Sequence, residues 1–170
     1  METELLFEEI QQFSKTGSRR IIQILSFIFL IGSLLILFTN EETKFQISIS
    51  FFGSSVAFDL INLVFNKVRL IVQIRTDGIY VSFPPLRNNF TICYWENIDK
   101  LFIREYDPIR EYGGWGLKGK GNNLAFCVEG NIGVQLILMN DAKLLIGTNQ
   151  PEEIASVLAR LGKLDYLIEK

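Results

Sequence analysis

Two stretches early in the chain are too apolar, for too long, to be ordinary surface elements. Ile21 to Phe38 reads IIQILSFIFLIGSLLILF without one charge. As a helix it would be about 27 Å long at ~1.5 Å per residue, close to the ~30 Å hydrocarbon core of a bilayer. Gln46 to Phe65 reads QISISFFGSSVAFDLINLVF and is weaker, with five Ser or Asn residues and one charge, Asp59. Ile47, Ile49 and Phe51 also alternate there as a strand would. Its length nevertheless favours a helix, and it gives the first helix a partner. Small residues suit that contact, Gly32 and Ser33 against Gly53, Ser54 and Ser55. The pattern predicts a two-helix transmembrane hairpin over 21–66, behind an amphipathic juxtamembrane segment over 1–20.

In that first segment Leu6, Ile10 and Phe13 fall at helical spacing, opposite Glu8, Glu9, Gln11 and Gln12. The spacing predicts a helix over Thr3 to Lys15. Membrane-surface helices are usually basic, so this acidic one is expected to dock on protein, either its own β domain or a partner.

From Val68 the period becomes two. Strands are expected near 68–76, 79–83, 90–95, 98–106, 124–129, 133–139 and 143–148, separated by Thr76-Asp77-Gly78, Pro84-Pro85, Gly130 to Gly133 and Asn140-Asp141-Ala142. Leu70, Val72 and Ile74 share a face, as do Ile79, Val81 and Phe83, then Leu124, Phe126 and Val128, and Val134, Leu136 and Leu138. One buried face per strand predicts an antiparallel sandwich or barrel of about seven strands. A closing helix follows. Thr148 or Asn149 is its expected cap, Pro151 suits its first turn, and Glu152 and Glu153 complement its dipole. Ile154, Val157, Leu158 and Leu161 form its apolar stripe, Gly162 its stop, and Leu164, Leu167 and Ile168 one further turn. The cytoplasmic domain is therefore drawn as 67–170.

Orientation follows from basic residues. Lys15, Arg19 and Arg20 precede the first apolar run, and Lys67 and Arg69 follow the second. The short connection holds Glu41 and Glu42 but only Lys44. The positive-inside rule then puts both termini in the cytoplasm, in a multi-pass protein of the inner (cytoplasmic) membrane. Asp59, with Asn62 at i+3, reads as a charge near the cytoplasmic end of its helix, since two helices are too few to enclose a pore.

Composition narrows the chemistry. There is no histidine, which removes His-based acid–base catalysis, triads and metal sites. Net charge is −2, so no global field favours nucleic acid. Cys93 and Cys127 lie in apolar strand-like stretches and read as core thiols in a reducing compartment; a disulfide or metal pair is the other reading. No cofactor motif survives. Gly114-Trp-Gly-Leu-Lys-Gly119 matches G-x-G-x-x-G, but dinucleotide binding needs a helix directly after it, and here a strand is expected.

Seven strands and a terminal helix resemble the pleckstrin-homology architecture. Arg110 to Gly116 (REYGGWG), Gly130 to Leu136 (GNIGVQL) and Leu145 to Pro151 (LIGTNQP) resemble a group of uncharacterised bacterial membrane proteins with a PH-like domain behind a two-helix hairpin. That resemblance implies neither an enzyme activity nor a known ligand.

The candidate interaction loop is Arg110, Glu111, Tyr112, Gly113, Gly114, Trp115, Gly116, Lys118 and Lys120. In one reading Trp115 plugs an open end of the sandwich while Arg110 stacks on it or pairs with Glu111. In the other, Tyr112 and Trp115 are exposed anchors for a partner or the bilayer interface. Only Asn66 and Lys67 separate the apolar run from the strands, so the domain needs no lipid affinity to stay at a membrane. The leading expectation is a non-enzymatic membrane-anchored adaptor or assembly module with a protein partner or a second copy of itself. The alternative is a sensor of anionic headgroups using Arg110, Lys118 and Lys120.

Overall fold

The computed structural model describes residues 3–13, 17–39 and 42–167. Lys15, Glu41 and Ile168, named above, lie outside them. Compactness does not follow chain order. The chain up to Gln11 joins the residues from Arg69 onward in one unit, and Gln12–Val68 form a second.

The second unit is a pair of helices, α1 (Gly17–Ile36) and α2 (Lys44–Phe65). They run antiparallel, for Ser33 meets Ser48 while Ser26 meets Ser55. The strand-like alternation of Ile47, Ile49 and Phe51 yields to helix, as its length suggested.

The first unit is mixed: two β-sheets and two helices. It opens with a correction. Residues 5–12 form not a helix but strand β1 (Leu5–Gln12). Phe7, Glu9 and Gln11 point inward and are buried. Two of the three inward positions are polar, which hid a period of two behind the helical spacing of Leu6, Ile10 and Phe13. The segment does dock on its own β unit, as a strand.

β1 lies beside β2 (Arg69–Arg75), which continues into β3 (Gly78–Phe83) and β4 (Arg87–Tyr94), giving a four-stranded sheet in the order β1-β2-β3-β4. Thr76 N–H donates to Glu4 O, and Gln73 reaches Glu8, so β1 and β2 run in opposite senses. β2–β3 and β3–β4 are antiparallel. Arg69 N–H donates to Pro84 O at 2.9 Å. The last residue of β1, the first of β2 and the β3–β4 turn therefore share one end of this sheet.

The second sheet contains β5 (Ile98–Glu105), β6 (Gly116–Lys120), β7 (Asn123–Cys127), β8 (Ile132–Leu138), β9 (Lys143–Gly147) and the two-residue β10 (Tyr166–Leu167). Its order is β10-β5-β8-β9-β7-β6. The expectation of a purely antiparallel arrangement is corrected here, because β7 pairs parallel to β9 and β10 parallel to β5. Leu144, Leu145 and Ile146 of β9 are all buried, so both faces of that strand are covered. A strand apolar on both faces belongs in the middle of a sheet, and placing β9 between β8 and β7 forces the parallel pairing. β10 replaces the further helical turn expected at Leu167.

The sheets meet through the faces the alternation predicted. Leu70, Val72, Ile74, Ile79, Val81 and Phe83 are buried, and the Phe83 and Phe126 rings lie 6.3 Å apart between the sheets. Helix α4 (Pro151–Arg160) follows β9 and buries Ile154, Val157 and Leu158. Its expected cap is also corrected. Gln150 occupies the N-cap, Thr148 Oγ1 accepts from Gln150 N–H, and the carboxylate of Glu9 accepts from Asn149 N–H at 2.8 Å and Thr148 Oγ1–H at 2.7 Å. A residue of the first strand thus satisfies the entry to the last helix.

Candidate functional site

Residues 107–121, expected as one irregular loop, are a short helix followed by a strand. Asp107 caps helix α3 (Pro108–Tyr112), its Oδ1 accepting from the N–H groups of Ile109 and Arg110 at 3.0 Å each. Gly113 ends the helix at φ +74°, the left-handed conformation glycine adopts without penalty, and donates to Ile109 O. β6 then pairs with β7, so Gly114-Trp-Gly-Leu-Lys-Gly119 runs into a hairpin and not into a phosphate-binding helix. Gly119 is required there for another reason: a Cβ would collide with the Asn123 carbonyl.

Arg104 of β5, not singled out in the sequence, organises this segment. Its guanidinium donates to Glu111 Oε2 at 2.6 Å and Oε1 at 3.1 Å, to Gln135 Oε1 at 3.1 Å and to Tyr112 OH at 3.4 Å. Glu111 also accepts from Asp107 N–H. The bidentate contact pins α3 to the second sheet, and the same guanidinium holds the Glu111 carboxyl below its ordinary value. The expected Arg110–Glu111 pair does not form; Arg110 projects into solvent and approaches Asp107 at 3.5 Å.

The remaining candidates separate. Tyr112 is buried with Tyr106, Ala125, Cys127 and Leu145 beneath α3, and so is not an exposed anchor. Trp115 is between the two readings, 39% exposed, with its Nε1–H donating to Gly130 O at 3.1 Å. Lys118 and Lys120 are exposed on the edge strand β6, and by alternation they share the sheet face that carries Ala125 and α3. Arg110 is also on that side, but Asp107 and Glu111 accompany it, so the three cations form no isolated basic patch.

Burial acts alike on the two thiols and the Tyr106 phenol. Burial pushes the Cys93 thiol up to about 11 and raises Cys127 and the Tyr106 phenol as well. Both cysteines are free and buried. Among the described residues, no group of three His, Cys, Asp or Glu side chains is arranged to hold a metal ion.

The helix pair has a site of its own. Its seam is polar. Ser33 and Ser48 hydroxyls lie 3.0 Å apart and each donates to the other's carbonyl oxygen. Ser26 Oγ lies 3.2 Å from Ser55 Oγ and donates to Asp59 Oδ1 at 2.8 Å. Asp59 therefore takes a hydroxyl of α1, and Asn62 is itself buried. The small residues pair differently from the expected set. Gly32 faces the Phe51 ring, and nothing lies within 4 Å of a Cβ at Gly53. The outer surface, by contrast, is apolar, with Ile21, Ile24, Phe27, Leu34, Leu35, Phe45, Ile49, Phe52, Leu60 and Leu63 all exposed. By length and composition α2 is apolar enough to cross a membrane, and the described apolar part of α1, Arg20–Ile36, is shorter.

Compared with protein families, curated proteins and solved structures, the chain matches none.

Proposed function

We propose that this chain is a non-enzymatic, membrane-anchored adaptor or assembly module whose helix pair crosses the bilayer and whose β unit is presented at the cytoplasmic face. One observation carries the anchor: the helix pair is inside out by the standards of a water-soluble protein. Its buried positions are serines and Asn62, with the Phe29, Phe51 and Phe58 rings packed between the helices, while many leucine and isoleucine side chains face outward. In the apolar window of α2 only 17% is buried, whereas the core helix of a soluble protein is mostly buried. An apolar exterior is stable in lipid, where serine hydroxyls satisfy one another across the helix contact.

We read the β unit as a variant of the PH-like plan. The β2–β3–β4 meander, the second sheet and a helix after the last long strand support that reading. β1 and the parallel β7–β9 pair are additions to it. The adaptor role rests on the tether and on charge. From Lys67 onward the chain has 13 Lys or Arg and 12 Asp or Glu, so recruitment by a general electrostatic field is weak. A domain already held at a membrane has a high effective concentration for a membrane-bound partner.

Topology reporters test the anchor. Fusions after Arg20 and after Lys170 should read cytoplasmic, and one between Asn40 and Lys44 should read external. A cytoplasmic reading for the 40–44 connection would remove the hairpin. Crosslinking of the full-length protein in its membrane tests the adaptor role: adducts with a defined partner or a second copy support it, and a protein that forms none at any exposed position contradicts it.

A further inference from the structure

The β3–β4 turn exposes more apolar surface than a hairpin tip in water requires. Leu86 is 67% exposed at the turn, followed by the exposed Arg87, Asn88 and Asn89 at the start of β4; Phe90 lies further along β4 with its ring against Tyr80. From Pro84 to Tyr94 there is no acidic residue. The Arg69–Pro84 hydrogen bond fixes this turn at the start of β2, and β1 ends at the same end of the sheet. Both connections to the helix pair thus leave the β unit from the end that carries Leu86. Four residues of chain, at most about 14 Å, join Phe65 to Arg69.

We propose that the β3–β4 turn is a bilayer-interface contact, in which Leu86 enters the headgroup region and Arg87 meets lipid phosphate. The proposal rests on the membrane-anchor reading above. Three features identify the occupant as lipid. An exposed leucine gains by leaving water at the headgroup–acyl boundary. Arg87, with Arg69 brought beside Pro84 by its backbone hydrogen bond and no acid in 84–94, complements the negative cytoplasmic leaflet. The turn also stands at the sheet end into which the anchored chain feeds. None of these residues belongs to the candidate set Arg110, Lys118 and Lys120, so this contact differs from headgroup sensing by that face.

The test uses full-length protein in phosphatidylcholine–phosphatidylglycerol vesicles. Single variants Leu86→Cys, Glu96→Cys and Phe52→Cys are labelled with an environment-sensitive fluorophore under native conditions, where Cys93 and Cys127 are buried. Glu96 lies just beyond the opposite end of β4. Nitroxide-headgroup lipid should quench the Leu86 label, aqueous iodide should quench the Glu96 label, and acyl-chain nitroxide should quench the Phe52 label. If the Phe52 label is quenched but Leu86 is as open to iodide as Glu96, the interface contact is wrong and the anchor stands. If the Phe52 label is not quenched by acyl-chain nitroxide, the anchor fails and the contact with it. If Leu86 is shielded from iodide, untouched by nitroxide lipid and crosslinks between copies, the turn is a protein contact and the proposal is overturned.

Discussion

Glu9 shows how much one side chain can do in this unit. Buried on the first strand, it receives Asn149 N–H and the Thr148 hydroxyl at the entry to the last helix, 139 and 140 residues away in sequence. Glu9→Gln puts an NH2 donor where one carboxylate oxygen stood, so Asn149 N–H and the Thr148 hydroxyl can no longer both donate to residue 9. Hydrogen bonds to a buried charged group contribute about 1.5–3 kcal/mol, so the variant should lose about 2 kcal/mol in urea unfolding followed by tryptophan fluorescence. Trp115 should matter less than a plugged aromatic would. Being partly exposed, it contributes mainly the bond to Gly130 O, and Trp115→Phe should cost about 1 kcal/mol; a cost near that of deleting a fully buried ring would restore the plug. Cys93 gives a pH signature. Its folded value is about 11 against an ordinary value near 9, so the unfolded chain loses its proton first. The resulting stability is fully present below about 9 and lost as pH rises towards 11. Cys93→Ala should flatten that alkaline slope in pH-dependent melting, whatever it does to stability at neutral pH.

At the scale of elements, the helix pair depends on close approach more than on apolar bulk. A Cβ at Gly32 would lie 2.9 Å from Phe51 Cδ1, and the Ser33 and Ser48 hydroxyls sit 3.0 Å apart. A Ser33→Cys/Ser48→Cys protein should form an intramolecular disulfide on mild oxidation. Adding Gly32→Leu should abolish it by separating the helices; an undiminished disulfide would show that the seam is not set by this contact. α3 is a different kind of element. Its five residues are too few to persist alone, and it exists because Asp107 caps it, Gly113 closes it and Arg104 holds Glu111 from a neighbouring strand.

At the scale of the molecule, the helix pair is an insertion between two neighbouring strands of one sheet. A fragment beginning at Arg69 would lose β1, leaving β2 as a bare edge and Thr148 and Asn149 without Glu9. Exposed edges of that kind promote association. A chain joining Gln12 to Arg69 through a short Gly-Ser linker, without either helix, should be monomeric and cooperatively folded in size-exclusion chromatography and thermal melting. The 69–170 fragment should aggregate or melt markedly lower; equal behaviour of the two would mean that β1 is dispensable.

The sequence by itself determined those elements whose burial is written as a simple period. β2, β3, β7, β8 and β9 fall within a few residues of their expected places, as does α4 with Ile154, Val157 and Leu158 inward. So do the two long apolar runs that became α1 and α2. A side chain's face in a strand or helix follows from spacing alone, and apolar residues reveal that spacing. Tertiary structure decided what no local period encodes. β1 hid because Glu9 and Gln11 are polar yet buried, a placement stable only once Thr148, Asn149 and Gly147 supply partners from the far end of the chain. β6 hid among glycines that carry no pattern and became a strand by pairing with β7. The candidate loop was legible as unusual, but Tyr112 turned inward because Arg104, eight residues before it, holds α3 from another strand, while Trp115 stayed partly exposed with its indole N–H on Gly130 O. The order β8-β9-β7 likewise belongs to the packed molecule, since β9 is central only when both its faces have something to bury against.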